Sequence, residues 1–202
     1  EWLRTDIRLF KLDQFGLPID TPSAADCPAA FLTQGDGVGG ATRSLNAHGL
    51  GTHLSQRWQA RGVIFGGLDE LLGQHEELLR TYLGQRILEA GVDRFAALQD
   101  ACWSGGHFLY VPRGVVIDEP LHMLAAMTNG GVDLGRTIMV LEEGAEATVM
   151  CETQSPSPQD GGFHCGATEI ILKQGARLRF AHLPAWGQGV WHFAHQKAVV
   201  GR

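Results

Sequence analysis

The 202 residues carry 16 Lys and Arg against 22 Asp and Glu, a net charge of −6, and are 44% apolar. This describes a globular chain with enough apolar residues for a sizeable core and no basic stripe for nucleic acid. The longest apolar runs are strand-length, so no segment reads as a membrane span. No basic stretch leading into an apolar run opens the chain as an export signal would, and the cytoplasm is the expected compartment.

Four cysteines, Cys27, Cys102, Cys151 and Cys165, share no C-x-x-C spacing, which argues against a disulfide framework or a zinc ribbon and for buried thiols. Residues 1–20 mix aromatic, basic and acidic side chains without a period and read as a short segment docked on the body. From Pro22 to Gly51 small residues, Pro and Gly dominate. Gly35-Asp36-Gly37-Val38-Gly39-Gly40 lacks the Gly-Lys-Ser/Thr of a phosphate cradle, and the stretch reads as loops and short edge strands. Arg61–Gly66 is a short apolar strand. Leu68, Leu71, Leu72, Leu78, Leu79, Tyr82 and Leu83 fall on one side of a helical pattern, with Glu70, Glu76, Glu77 and Arg80 opposite. One amphipathic helix, ended or bent by Gly84, is the expectation. Asp93 caps a second helix running to Trp103. After Ser104-Gly105-Gly106 only strands are expected: 108–111, 115–117, 121–127, 137–141, 147–151, 166–172, 178–183 and 190–200.

Within that second half one theme recurs three times, as Phe108–Gly114, Thr137–Ala145 and Thr168–Ala176. Gly114, Gly144 and Gly175 lie 30 and 31 residues apart, and Thr137/Thr168, Leu141/Leu172 and Ala145/Ala176 keep the spacing of 31. A strand–Gly turn–strand unit repeated at this length predicts stacked coils, because one unit cannot bury its apolar face alone. The alternative is an antiparallel sandwich with two similar hairpins. Gly144 and Gly175 are expected at equivalent corners with positive φ, and Leu141 and Leu172 on neighbouring parallel strands.

The run from Asp93 to Val115, with its core Tyr110-Val111-Pro112-Arg113-Gly114, resembles a signature of the SufB/SufD family. The opening Glu1-Trp2-Leu3-Arg4-Thr5-Asp6, Gly62-Val63-Ile64 and Glu142–Val149 agree with it. The resemblance covers nearly the whole chain, is weakest over residues 22–55, and leans toward the SufD branch through its opening. It implies a mainly β chain: a right-handed parallel β-helix, or stacked-coil solenoid, after a small α/β lead-in. Residues 1–104 are then the lead-in with loops and two helices, and 105–202 the β-helix core. The implied role is a non-catalytic scaffold subunit of the SUF iron–sulfur cluster assembly machinery. Such a subunit pairs with a SufB- or SufD-type partner, or with itself as a homodimer. A SufC-type ATPase docks through a C-terminal region not in this chain. The iron–sulfur cluster is transient cargo on the assembled complex, and no cofactor stays bound. Because Glu1 is no initiator and Trp191–Val200 is a strand-like run followed by two residues, the chain is expected to be a fragment, incomplete at the C-terminal end of its β-helix.

Thiolate and imidazole suit iron and sulfur, which makes Cys151 the cofactor-binding candidate. B-type members carry a cysteine in a Glu-Gly-Cys-Thr segment after this strand. Counted from the turn glycine, that position is Thr153 here, and an offset of two residues keeps Cys151 on the same strand face. The alternative for Cys151 is a core thiol. His164 and Cys165 are adjacent, so they point to opposite faces of a strand and do not share an ion readily. His182, His192 and His195 are read as surface or hydrogen-bonded, His192 and His195 differing in parity. Two other classes stay open. His164, Glu169 and Gly175 partly imitate a cupin metal pattern whose second histidine would fall at Gly166. Asp118 and Glu119 would be the carboxylates of a β-helix hydrolase, although their faces are opposed; a plain β-helix binding module is the remaining variant.

Overall fold

The computed structural model describes residues 7–16 and 37–201. The opening hexapeptide and Cys27 lie outside the described residues. In chain order the first strands and helices are β1 (Gly40–Leu45), β2 (His48–Leu54), α1 (Gln56–Gln59), β3 (Ile64–Gly67), α2 (Leu68–Leu72), α3 (Glu76–Leu83) and α4 (Arg94–Cys102). Then come β4 (Gly106–Val111), β5 (Leu121–Ala126), β6 (Gly131–Asp133), β7 (Arg136–Leu141), β8 (Glu146–Gln154), β9 (Gly161–Leu172), β10 (Arg177–Ala185) and β11 (Gly189–Val200).

Gly114, Gly144 and Gly175 have φ of +69°, +67° and +70°, a conformation that costs a glycine little and any L side chain much more. Each turns the chain from one sheet toward the other. The turns stack on backbone hydrogen bonds, Gly114 N to Glu143 O at 2.9 Å and Gly144 N to Gln174 O at 3.0 Å. On one side of the turns β4, β7, β9 and β11 pair in parallel; on the other β5, β8 and β10 do. Thr137 pairs with Thr168 and Leu141 with Leu172, so the repeat of 31 is a strand register. The result is a stacked-coil β-solenoid of about three turns, not an antiparallel sandwich. Its parallel ladders also differ from the antiparallel double sheet of a cupin.

The two sheets run β10-β8-β5-β1-β2 and β11-β9-β7-β4-β3, with β6 on β9. β1 joins β5 in parallel, and the antiparallel strands β2 and β3 form the outer edges at that end. The first strands of both sheets thus come from before residue 104.

Between the sheets lies one apolar cluster that includes Leu109, Val111, Leu121, Met123, Met139, Leu141, Val149 and Cys151. The outer face of β4 and β7 is apolar as well: Phe108, Ile138 and Val140 pack under Leu68, Leu71, Leu79 and Tyr82 of α2 and α3. Burial on both faces is why β7 is apolar without a break from Ile138 to Leu141. A third cluster gathers Phe95 of α4 with Val132, Phe163, Cys165 and Phe193. Phe10 docks the N-terminal segment there, its ring 5.1–5.6 Å from those of Phe95, Phe163, Trp191 and Phe193.

Beyond α1 and β6, which the sequence reading did not foresee, three elements differ from it. The single helix over 68–83 is two, interrupted from Gly73 to His75, and Leu72 is exposed. A straight 16-residue helix would run about 24 Å, whereas three adjacent strands span only about 10 Å; the break lets both pieces land on that patch. Residues 115–117 make one bridge, Val116 to Glu146, rather than a strand. The segment that follows is drawn to α1 by Arg57–Asp118 and Trp58–Glu119. β1, read as loop or edge, is nearly all buried and sits inside its sheet. By contrast, α4 begins at Asp93 as expected, its Oδ1 accepting from the Phe95 and Ala96 amides.

The corner glycines give a direct test. Gly144→Ala and Gly175→Ala are each expected to lower unfolding free energy by about 1–2 kcal/mol. Gly73→Ala, at αR angles with open space around it, should be neutral or slightly stabilising. Urea unfolding of the three variants measures the contrast.

Candidate functional site

Strict alternation along β8 sends Ala147, Val149, Cys151 and Thr153 inward. The first two meet apolar side chains, but from Cys151 onward the interior becomes polar. A cavity of about 40 Å³ opens there, lined among others by His107, Asp133, Cys151, Thr153, His164 and His182. Backbone pairing places them: Cys151 is level with His182 across β8 and β10. Asp133, His164 and His192 form one column across β6, β9 and β11. Cys151 and Thr153 therefore share both a strand face and a cavity.

Burial dominates the electrostatics. It pushes the Cys151 thiol up to about 12, with the Asp133 charge adding to the rise; the group is a thiol at neutral pH and a poor nucleophile or ligand as it stands. Burial likewise lowers His107 to about 4 and His164 to about 3, the latter also opposed by His182. Asp133 is raised to about 6 by burial, although its carboxylate accepts the Ala47 amide at 2.9 Å and the Gly135 amide at 3.0 Å. His107 Nε2 lies 3.3 Å from Ser44 Oγ. Its Nδ1, like Thr153 Oγ1, is buried without a hydrogen-bond partner. Orphaned polar atoms around so small a space fit one or a few water-sized guests. An iron–sulfur cluster does not fit inside it.

The other sequence candidates are dispersed. Cys165 faces the opposite way from His164, its Sγ donating to Phe95 O at 3.4 Å. His195 Nε2 meets Asp93 Oδ2 at 2.9 Å, while His192 turns to His164, as their parity requires. Glu169, the candidate cupin carboxylate, is fully buried and ion-paired with Arg136, which also reaches Asp100 at 3.1 Å. Asp118 binds Arg57 and Glu119 accepts the Trp58 indole N–H, so both carboxylates are tied to α1. Among the described residues no three His, Cys, Asp or Glu side chains are arranged to hold a metal ion. Asp133 and His107 escaped the sequence reading. β6 is three residues long, too short for a period, and His107 lies in an apolar run.

Two measurements follow. In native buffer iodoacetamide is expected to leave Cys151 and Cys165 unmodified, both thiols being held at about 12 by burial, and to reach them only on unfolding; peptide mapping reads this. The pH dependence of stability has a calculable sign. His107, His164 and His192, lowered to about 4, 3 and 4, refuse protons that the unfolded chain takes up below about 6.5. Asp133, raised to about 6, works the other way from that pH down to its ordinary value near 3.8. Three protons against one leaves a net loss of stability as pH falls from 6.5 to 4. Urea midpoints should drop across that window, and His107→Gln should flatten the slope by about one proton.

The sequence matches two family models in succession: the SufBD protein N-terminal region over residues 46–123 and the SUF system FeS cluster assembly, SufBD core domain over residues 124–202. An iron–sulfur cluster assembly SufBD family protein of Staphylococcus epidermidis is 29% identical over 149 residues, covering 73% of this chain and 32% of the relative. Counterparts in Staphylococcus haemolyticus and Staphylococcus aureus are 28% identical over the same coverage. The chain thus spans about a third of the length of these curated relatives. With two consecutive family models meeting at residues 123 and 124 and a stacked-coil solenoid beneath them, the chain belongs to the SufB/SufD family of iron–sulfur cluster assembly proteins.

Proposed function

We propose that this chain is part of a non-catalytic scaffold subunit acting in cytoplasmic iron–sulfur cluster assembly. One observation carries the reading beyond family membership: the space between the two sheets, where the polar side chains converge, is about 40 Å³, against the roughly 300–1,000 Å³ of a small-molecule site, and the larger hollows of about 440–620 Å³ lie outside the coils, against the helices and the β2–β3 edge. Coils locked in register by parallel ladders make a stiff platform rather than a substrate cleft. A second SufB- or SufD-type β-helix, or another copy, supplies the facing surface. A SufC-type ATPase supplies the work. The cluster is cargo carried on the assembled complex and not a resident cofactor.

Of the three cysteines described, Cys151 is the one that lines the cavity. Its protonated, enclosed state supports a role only when the coils over it part, as they would if an ATPase pulled on the subunit. No membrane partner is part of the proposal; among the described residues no helix is long and apolar enough to cross a bilayer.

A pull-down of the full-length protein from its native extract tests the assignment. Co-purification of an ATPase and a second β-helix subunit is the expected result, with ATP hydrolysis belonging to the ATPase alone. ATP turnover by the purified subunit, or retrieval with neither partner, would overturn it.

A further inference from the structure

The column Asp133–His164–His192 has an internal logic that the assembly role does not use. His164 and His192 occupy paired positions on the adjacent parallel strands β9 and β11. Their Nδ1 atoms are 2.8 Å apart. That is too short for rings in face-to-face contact, so the 4.7 Å between centroids reflects nitrogen edges meeting. Trp186 Nε1, which can only donate, lies 3.0 Å from His192 Nδ1. His192 Nδ1 is therefore bare and accepts from both the indole and His164 Nδ1–H. His164 Nε2 is left without a proton, 3.8 Å from Asp133 Oδ1.

We propose that His164 and His192 form a two-imidazole site for a borderline divalent first-row metal ion such as Zn²⁺ or Co²⁺, with Asp133 as the carboxylate behind His164. Two nitrogens bonded to a tetrahedral ion at about 2.0–2.1 Å stand about 3.3 Å apart. The rings need only separate by about 0.5 Å. When the ion takes the His164 Nδ1 lone pair, the proton held there is lost to solvent and one is regained at Nε2, which then donates to Asp133. A carboxylate behind a ligating histidine is the usual device for fixing its tautomer. Asp133 is already anchored by two backbone amides. Gly166 leaves the room the ring uses, since a Cβ there would sit 2.7 Å from His164 Nε2. Both imidazoles are neutral at pH 7, as ligands must be. His192 is exposed, which gives the ion a path in, and water completes the coordination. Binding displaces the Trp186 N–H from its acceptor, so the indole reports on occupancy. The two ligating imidazoles stand on β9 and β11, whereas Cys151 stands on β8 of the facing sheet, and the proposal does not rest on the scaffold reading.

Titration of the folded chain with Co²⁺, followed by visible absorption, and with Zn²⁺, followed by tryptophan fluorescence, tests the site. One ion per chain is expected. His192→Gln, on the outer strand, and His164→Gln should each weaken binding about 100-fold or more. Asp133→Asn should weaken it about 10-fold. Cys102→Ser, on α4 and away from the cavity, should leave it unchanged, and Trp186→Phe should bind while losing the fluorescence response. Absence of Co²⁺ uptake by the folded wild-type chain would overturn the proposal. So would uptake by folded His192→Gln equal to that of the wild type.

Discussion

Everything distinctive in this molecule depends on one constraint, the fixed register of the parallel backbone ladders between successive coils. Because β9 meets β7 at a spacing of 31 along the chain and the corner glycines stack on backbone hydrogen bonds, each coil presents the same face at the same height as its neighbour. A slip of one residue would exchange the inside and outside of an entire strand. The positive φ of Gly114, Gly144 and Gly175 is what allows the chain to turn between sheets without disturbing that register.

The register has a second effect: polar residues, once placed at an inward position, accumulate in columns. Near the glycine corners the columns are apolar and close completely, with Leu109, Met123, Met139 and Val149 all fully buried. Farther along, the same inward direction holds Ser44, His107, Thr153 and His164, and the packing no longer closes. A buried polar group needs a partner, and here the partners are other buried polar groups, backbone amides or a water-sized space. The Arg136–Glu169 pair shows the same economy at the flank, where Asp100 of α4 supplies a further acceptor. Truncating either member would strand a charge in the interior, at a cost of about 3–5 kcal/mol.

The parallel ladders make a stiff frame around a narrow polar interior. Fold alone does not establish function, and here the family relationship supplies the context that the solenoid lacks. The geometry adds a restriction: Cys151 is level with His182 and close to Asp133, yet enclosed and protonated.

The sequence by itself was enough for the architecture. A strict spacing between Thr137 and Thr168, Leu141 and Leu172, and Gly144 and Gly175 can be read without coordinates because it reflects a local requirement, a turn that only glycine makes cheaply, repeated at every coil. The cap at Asp93 and the opposite facing of His164 and Cys165 were legible for the same reason, since both follow from the geometry of a few consecutive residues. What the sequence could not decide were matters of long-range pairing. β1 is polar and small, and became an interior strand only because it joins β5, 81 residues away in register. The amphipathic stretch over 68–83 broke in two because the apolar patch beneath it is narrow, and that width is a property of the assembled sheet. The polar chamber around Cys151 draws Asp133, His107 and His164 from three different coils. Stacking brings them together, and no pattern along the chain marks them as neighbours.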